Sequence, residues 1–312
     1  LRTFDKDGVQ LLEDAIEIDQ EKKIIGGVTS TLKRDELLIA GTYTLGNAKQ
    51  AAGIFSVTVD PFKEQVVNYY DFPELQHALD FMNPRRAYKI TEAARRDRLR
   101  GRDPEYKIYA STVRLEEFNH GFLFLSELYT SSSNTGPYPY QSPYGSPYGP
   151  YYSYGMYPFT PYANRYYNSP YSYGNMPQNS DIHVLESLVA VFSSDGKLEW
   201  DHSLKLDNHR KPSLEQSSDF WSNKNKIAIA TKKESEIWIK ERFKNDEVRS
   251  DTLKIMLKNP TDVIRSETKE DEGIRFWYGN NFYVWGYQSL RDPSLSEDKN
   301  RSVFYIVKLN VN

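Results

Sequence analysis

Residues 189–206, VAVFSSDGKLEWDHSLKL, read as one β-hairpin. Apolar positions alternate on both sides of the Ser-Ser-Asp-Gly turn, and Asp-Gly suits a tight antiparallel connection because Gly accepts a positive φ at no steric cost. Alternation also places Leu198 and Trp200 on one strand face, which predicts a Trp200 largely buried between adjacent sheets. The chain opens on the same pattern. Residues 2–18, RTFDKDGVQLLEDAIEI, run as the end of a strand, a turn at Asp7-Gly8 and a second strand.

Between and beyond these hairpins the pattern recurs four times. The first unit runs IIGGVTSTL (24–32), ELLIAGTYT (36–44), GIFSVTVD (53–60) and QVVNYYDF (65–72). The second joins IYASTVRLEE (108–117) and GFLFLSELYT (121–130) across a very long loop to the hairpin at 187–206. In the third, SSDFWS (217–222) and NKIAIATKK (225–233) precede a hairpin over 235–255. The fourth has GIRFWYGNN (273–281), FYVWGYQS (282–289) and SVFYIVKLNVN (302–312), and stops after its third strand.

Serial four-stranded antiparallel units predict an all-β, β-propeller-like single domain over 1–312, with about four to five recognisable blades, or part of a larger propeller. A β-sandwich is the rival, and a spacing near the 40 to 50 residues of propeller repeats favours blades. The N-terminal strand is expected to complete the fourth sheet, or else to belong to further blades before Leu1. Two insertions interrupt the units. Residues 73–105 are expected to hold short helices over 73–82, with Pro73 in the first turn, and over 91–101, ending at Gly101. Residues 136–177 contain 13 Tyr, 9 Pro, 5 Gly and one charge, Arg165, a composition that predicts a polyproline-like loop without its own core.

The stretch VAVFSSDGKLEW (189–200) resembles the strand–turn–strand element of quinoprotein-like β-propeller repeats, with Asp195 and Gly196 in the turn and Trp200 as the residue packed between blades. Trp is absent at the matching positions of the other units, and the resemblance implies a fold rather than a cofactor. The whole arrangement, Tyr-rich loop included, is diffusely similar to cell-envelope β-propeller proteins of Bacteroidota. That likeness implies a place in the bacterial cell envelope, periplasmic or outer-membrane-associated, within a larger assembly.

The chemistry that composition permits is narrow. Forty basic and 43 acidic residues leave a formal charge of -3, so no global field attracts nucleic acid or an anionic membrane. Without Cys there is no disulfide, thiolate nucleophile or cysteine zinc site. No apolar run approaches the roughly 18 residues of a membrane helix, and the start at Leu rather than Met leads to the expectation of a processed N-terminus. The five histidines, His77, His120, His183, His202 and His209, form no HExxH or helical ligand pair. His183 and Glu186 read as surface polar positions near a strand start, and Ser146 sits in YGSPYG rather than a nucleophile elbow. Asp5 and Asp7 of DKDG could open a calcium loop, but no downstream acidic set follows and a turn is the better reading.

Two features remain as interaction candidates. Arg and Lys crowd residues 85–107, but Glu92, Asp97, Asp103 and Glu105 are interleaved, as on a solvated helical face. The Tyr-rich loop offers large apolar area with polar tips and little entropy to lose. Its partner-binding candidates are Tyr138, Tyr140, Tyr144, Tyr148, Tyr151, Tyr152, Tyr154, Tyr157, Tyr162, Tyr166, Tyr167, Tyr171 and Tyr173. The resulting expectation is a non-catalytic scaffold without cofactor or metal that binds protein partners. A glycan-binding or glycan-processing propeller is the alternative.

Overall fold

The computed structural model describes residues 2–13, 15–31, 37–59, 65–131, 182–268, 271–293 and 300–311. All but one of its longer elements are β-strands. Among the described residues, strands β1 (Arg2–Phe4) and β2 (Gln10–Glu13) pair only with each other. The next twelve form three sheets in which spatial order follows chain order. The first sheet is β3 (Lys22–Thr29), β4 (Leu37–Leu45), β5 (Gly53–Val59) and β6 (Val67–Asp71). The second is β7 (Tyr109–Phe118), β8 (Gly121–Ser131), β9 (Ile182–Phe192) and β10 (Leu198–Lys211). The third is β11 (Ser218–Ser222), β12 (Lys226–Lys233), β13 (Glu236–Phe243) and β14 (Val248–Lys254).

The fourth sheet breaks this rule. Its meander is β16 (Gly273–Tyr278), β17 (Asn281–Arg291) and β18 (Arg301–Asn310). The fourth member, β15 (Val263–Glu267), pairs with the far half of β17, on the edge that β16 occupies nearer its start. Strand β18 takes the other edge of β17 without a register shift.

The sheets pack in series, with an apolar core between each neighbouring pair. Leu38, Phe55, Phe124 and Phe192 belong to the core shared by the first and second sheets. Leu125, Val189, Phe220 and Ile229 join the second and third, and Ala230, Ile239, Phe282 and Val284 the third and fourth. Central strands such as β5 and β9 are buried on both faces, so their sequences are apolar runs rather than clean alternations.

Three sequence expectations need correction. The N-terminal segment does not complete the fourth sheet: among the described residues β1 and β2 pair with each other and with no other strand. Residues 73–82 contain no α-helix: a 3-10 turn spans Phe72–Glu74, and Pro73 sits in it. One helix, α1 (Pro84–Leu99), follows. Asn83 caps it by accepting from the Arg86 N–H at 2.9 Å, and Pro84 is tolerated where no intrahelical donor is needed. Finally, Leu198 and Trp200 do not share a face. A bulge at Glu199 shifts the β9–β10 register, so Leu198 packs toward the first sheet and half-buried Trp200 toward the third.

Local turn chemistry matches the sequence closely. In the β1–β2 turn the Asp5 N–H donates to the Val9 carbonyl and Gly8 N–H to Asp5, with Gly8 at φ 82°. In the β9–β10 turn Ser193 and Lys197 make the same bond, with Gly196 at φ 80°. Phe243, Asp246 and Glu247 repeat it between β13 and β14. The DKDG segment is therefore a turn, closed by Asp5 Oδ1 accepting from the Asp7 and Val9 amides.

Candidate functional site: an aromatic sheet face

Strand β17, NFYVWGYQSLR, is apolar on both faces. Phe282 and Val284 enter the core against the third sheet, while Tyr283, Trp285 and Tyr287 face the other way. Phe304 and Ile306 of β18 join them, and Trp277 and Tyr278 close the patch from β16. Exposure reaches 53% for Trp277, 48% for Phe304 and 65% for Ile306, far above what a core-facing strand position shows.

The rings are ordered against one another. Tyr283 stacks on Trp285 at 5.3 Å with 26° between planes, and Trp277 meets Tyr283 edge-on at 6.3 Å. Tyr287 and Phe304 lie 4.9 Å apart. Trp285 lies across Gly273, the residue directly opposite on β16; a Cβ there would sit 2.7 Å from the indole, so only Gly admits this ring position. The Arg275 guanidinium stands 5.5 Å from Trp285, and Lys308 Nζ sits over Tyr278 while donating to its hydroxyl at 3.0 Å. The ionic groups recorded on these rings are the cations Arg275 and Lys308.

A cleft of about 350 Å³ opens elsewhere, between the turn ends of the second and third sheets. Trp200 lines it, but Arg242 already covers that indole at 4.3 Å and is held by the Asp201 carbonyl and the Asp246 carboxylate.

Several buried polar clusters tie the structure together, and two of them bear on the candidate residues. Arg114 of β7 donates to Asp219 of β11 at 2.6 Å, pairs with Glu116 and lies on the Phe220 and Phe276 rings. Burial works against its charge, yet Asp219 and Glu116 hold the guanidinium pKa above its ordinary value. Asp219 Oδ2 also accepts from the Phe276 N–H at 2.8 Å, so one carboxylate links three sheets.

The second cluster surrounds Glu186, read from sequence as a surface position but fully buried in β9. Neither carboxylate oxygen has a partner of hydrogen-bond geometry. Burial, reinforced by Asp80, pushes its pKa up to about 8, although Ser203, the Phe81 amide and Lys240 oppose the shift. His202 of β10, opposite Val189 and so on the other face of the sheet, is pushed down to about 3 by burial, then by Lys240, His77 and Arg242. Its ring meets that of His77 at 5.5 Å, and His77 Nδ1 lies 2.8 Å from Asp80. Asp201 accepts from the Gln76 and His77 amides, clamping the segment before α1 onto β10. Such residue types recur in acid–base sites, but Glu186 and His202 are both buried, and the contacts that seat that segment are made by Asp201.

Among the sequence-predicted candidates, the thirteen tyrosines from Tyr138 to Tyr173 lie outside the described residues. The basic stretch forms the solvated helix expected, with only Ala94 buried in α1. One of its arginines has a further role: Arg98 pairs with Glu74 at 2.8 Å and with Asp71, fixing α1 to the end of β6. The aromatic face was missed, although aromatic residues at both odd and even positions of FYVWGY and SVFYIV are its signal. Among the described residues no group of three or more metal-ligating side chains forms, and no helix is long and apolar enough to cross a membrane.

No protein-family model matches the sequence, and no curated protein matches it either. A crystal structure from Bacteroides ovatus, provisionally named a hydrolase, aligns over 87% of this chain and 67% of its own at 9% identity and a TM-score of 0.28. A likeness that weak carries no argument about fold or activity.

Proposed function

We propose that this chain is a non-catalytic, propeller-like scaffold that takes a partner protein on the outer face of its fourth sheet, within a bacterial cell-envelope assembly. The observation that carries this is the contiguous exposed set Trp277, Tyr278, Tyr287, Phe304 and Ile306 on one sheet face. Soluble chains rarely leave such a patch uncovered, and aromatic residues with Arg are the types that anchor protein interfaces. The propeller reading draws on the serial sheet packing and on the closeness of first strands, β3 to β7 and β11 to β16. The envelope location rests on sequence resemblance alone.

The test is affinity capture from the native source with the unaltered chain, Trp277→Ser and Phe304→Ser, each checked for folding by circular dichroism. Loss of one hot-spot anchor should weaken capture of a specific partner by roughly 30-fold or more. Equal recovery of every partner by all three would overturn the reading. The flat Trp285–Tyr283 stack also favours the glycan alternative, since such rings suit the apolar face of a sugar. Retarded migration in neutral polysaccharide gels, abolished by Trp285→Ala, would shift the conclusion there.

A further inference from the structure

Helix α1 and the turn after it carry a charge opposite in sign to that of the chain as a whole. From Arg85 to Arg102 eight basic residues stand against two acidic ones, in a molecule whose acids outnumber its bases. The surplus is a local field with a direction. At 3.6 residues per turn, Arg85, Lys89 and Arg96 fall opposite Ala94, the buried residue through which the helix meets the core. Glu92 is the carboxylate on that outward side, and Arg95 already approaches it at 3.8 Å. Among the described residues Arg85, Arg86, Lys89, Arg100 and Arg102 have no ion-pair partner.

Two large apolar side chains stand among these cations. Tyr88 is 67% exposed and Leu99 78%, and helical spacing puts both on the outward side. Core contact is supplied by Ala87, Ile90 and Ala94, so packing accounts for neither. A nucleic acid offers phosphates to the arginines but nothing to Leu99. The headgroup layer of a bilayer takes all of them, cations at its phosphates and Tyr and Leu at the acyl boundary.

We infer that the outward face of α1 is a docking surface for an anionic lipid bilayer. The helix lies along the headgroup plane, with Arg85, Lys89, Arg96 and Arg100 at the lipid phosphates and Tyr88 and Leu99 reaching below them. Arg98 holds α1 on the end of β6 through Asp71 and Glu74, so the charges are presented in place and little order is lost on docking. The site is separate from the aromatic face of the fourth sheet and does not depend on a partner protein.

The test is cosedimentation of the full chain with vesicles of phosphatidylglycerol and phosphatidylcholine, and with vesicles of phosphatidylcholine alone. Binding is expected to the first only, and to fade as added salt shortens the Debye length. Arg85→Gln, Lys89→Gln and Arg100→Gln combined should weaken it roughly a hundredfold, about fivefold for each charge. Gln keeps the helix propensity of these exposed positions, and circular dichroism checks the fold. Tyr88→Ser with Leu99→Ser should also weaken it, whereas Trp277→Ser should bind vesicles as the unaltered chain does. Failure of this site therefore leaves the partner-protein reading standing. Absence of binding, equal binding to both vesicle types, or undiminished binding by the triple variant overturns the inference. So does a mixed-sequence DNA duplex bound in preference to the anionic vesicles, with the Tyr88 and Leu99 changes without effect, since the face would then serve nucleic acid.

Discussion

At the scale of single residues, the chain places two ionisable groups where only their neutral forms are comfortable. Glu186 takes up its proton more readily folded, at about 8, than at its ordinary 4.5. Its contribution to stability is therefore complete below about 4.5 and lost as pH rises through 8. His202 behaves oppositely: its neutral ring supports the fold above 6.5, and this support is lost as pH falls toward 3. Between 4.5 and 6.5 the two slopes oppose each other, and above 6.5 only that of Glu186 remains. Urea unfolding from pH 6.5 to 8 should show wild-type stability falling relative to Glu186→Gln by on the order of 1 kcal/mol per pH unit, a comparison in which the slope from other buried groups such as Glu127 cancels. A constant difference between the two proteins would mean that Glu186 is charged and paired. Neither position was legible in the sequence. IHVLESLVAV marks a buried strand, but the burial of its one acid depends on β10 and on the segment before α1 packing over it.

At the scale of elements, the hairpin turns were read correctly because their chemistry is local. Gly8 and Gly196 occupy the same left-handed position in equivalent turns, yet their surroundings differ. A Cβ at Gly8 would meet nothing within 4 Å, whereas at Gly196 it would lie 3.3 Å from both Leu38 and Thr58 of the first sheet. The Gly196 carbonyl also accepts from Ser56, so this turn is a docking contact as well as a connection. Gly8→Ala should cost about 1 kcal/mol of backbone strain, and Gly196→Ala clearly more, by denaturant titration. Equal costs would show that the second turn does not bear on the first sheet. The face assignment of Trp200 failed for an equally local reason that the sequence conceals: a one-residue bulge reverses every side chain beyond it. Because Trp200 is half-buried with Arg242 on its ring, its truncation should cost less than that of a fully enclosed Trp.

At the scale of the whole molecule, the Tyr-rich insertion connects β8 to β9, neighbours in the second sheet. Deleting residues 136–177 and joining Thr135 to Gln178 should leave the strand content and unfolding midpoint close to wild type, since shortening a long connection changes closure entropy little. Unfolding of the deleted chain would place those residues in the domain's own core. Capture experiments on the deletion and on Trp277→Ser, run side by side, would divide partner binding between the loop and the aromatic face.

Alternation, turn residues and the Asp-Gly dipeptides were enough by themselves to point to an antiparallel all-β chain, the first three four-stranded units and the meander of β16, β17 and β18. Those features follow from backbone geometry over a few residues, where side-chain period and φ preference act directly. Tertiary structure decided the rest: which face of Trp200 is covered, where β15 joins, why β1 and β2 pair with each other, and which side of β17 remains open. Each of these is set by competition between distant segments for one surface or one row of backbone hydrogen bonds. A strand's own sequence states that it needs a partner, and only the packed chain settles which partner it has.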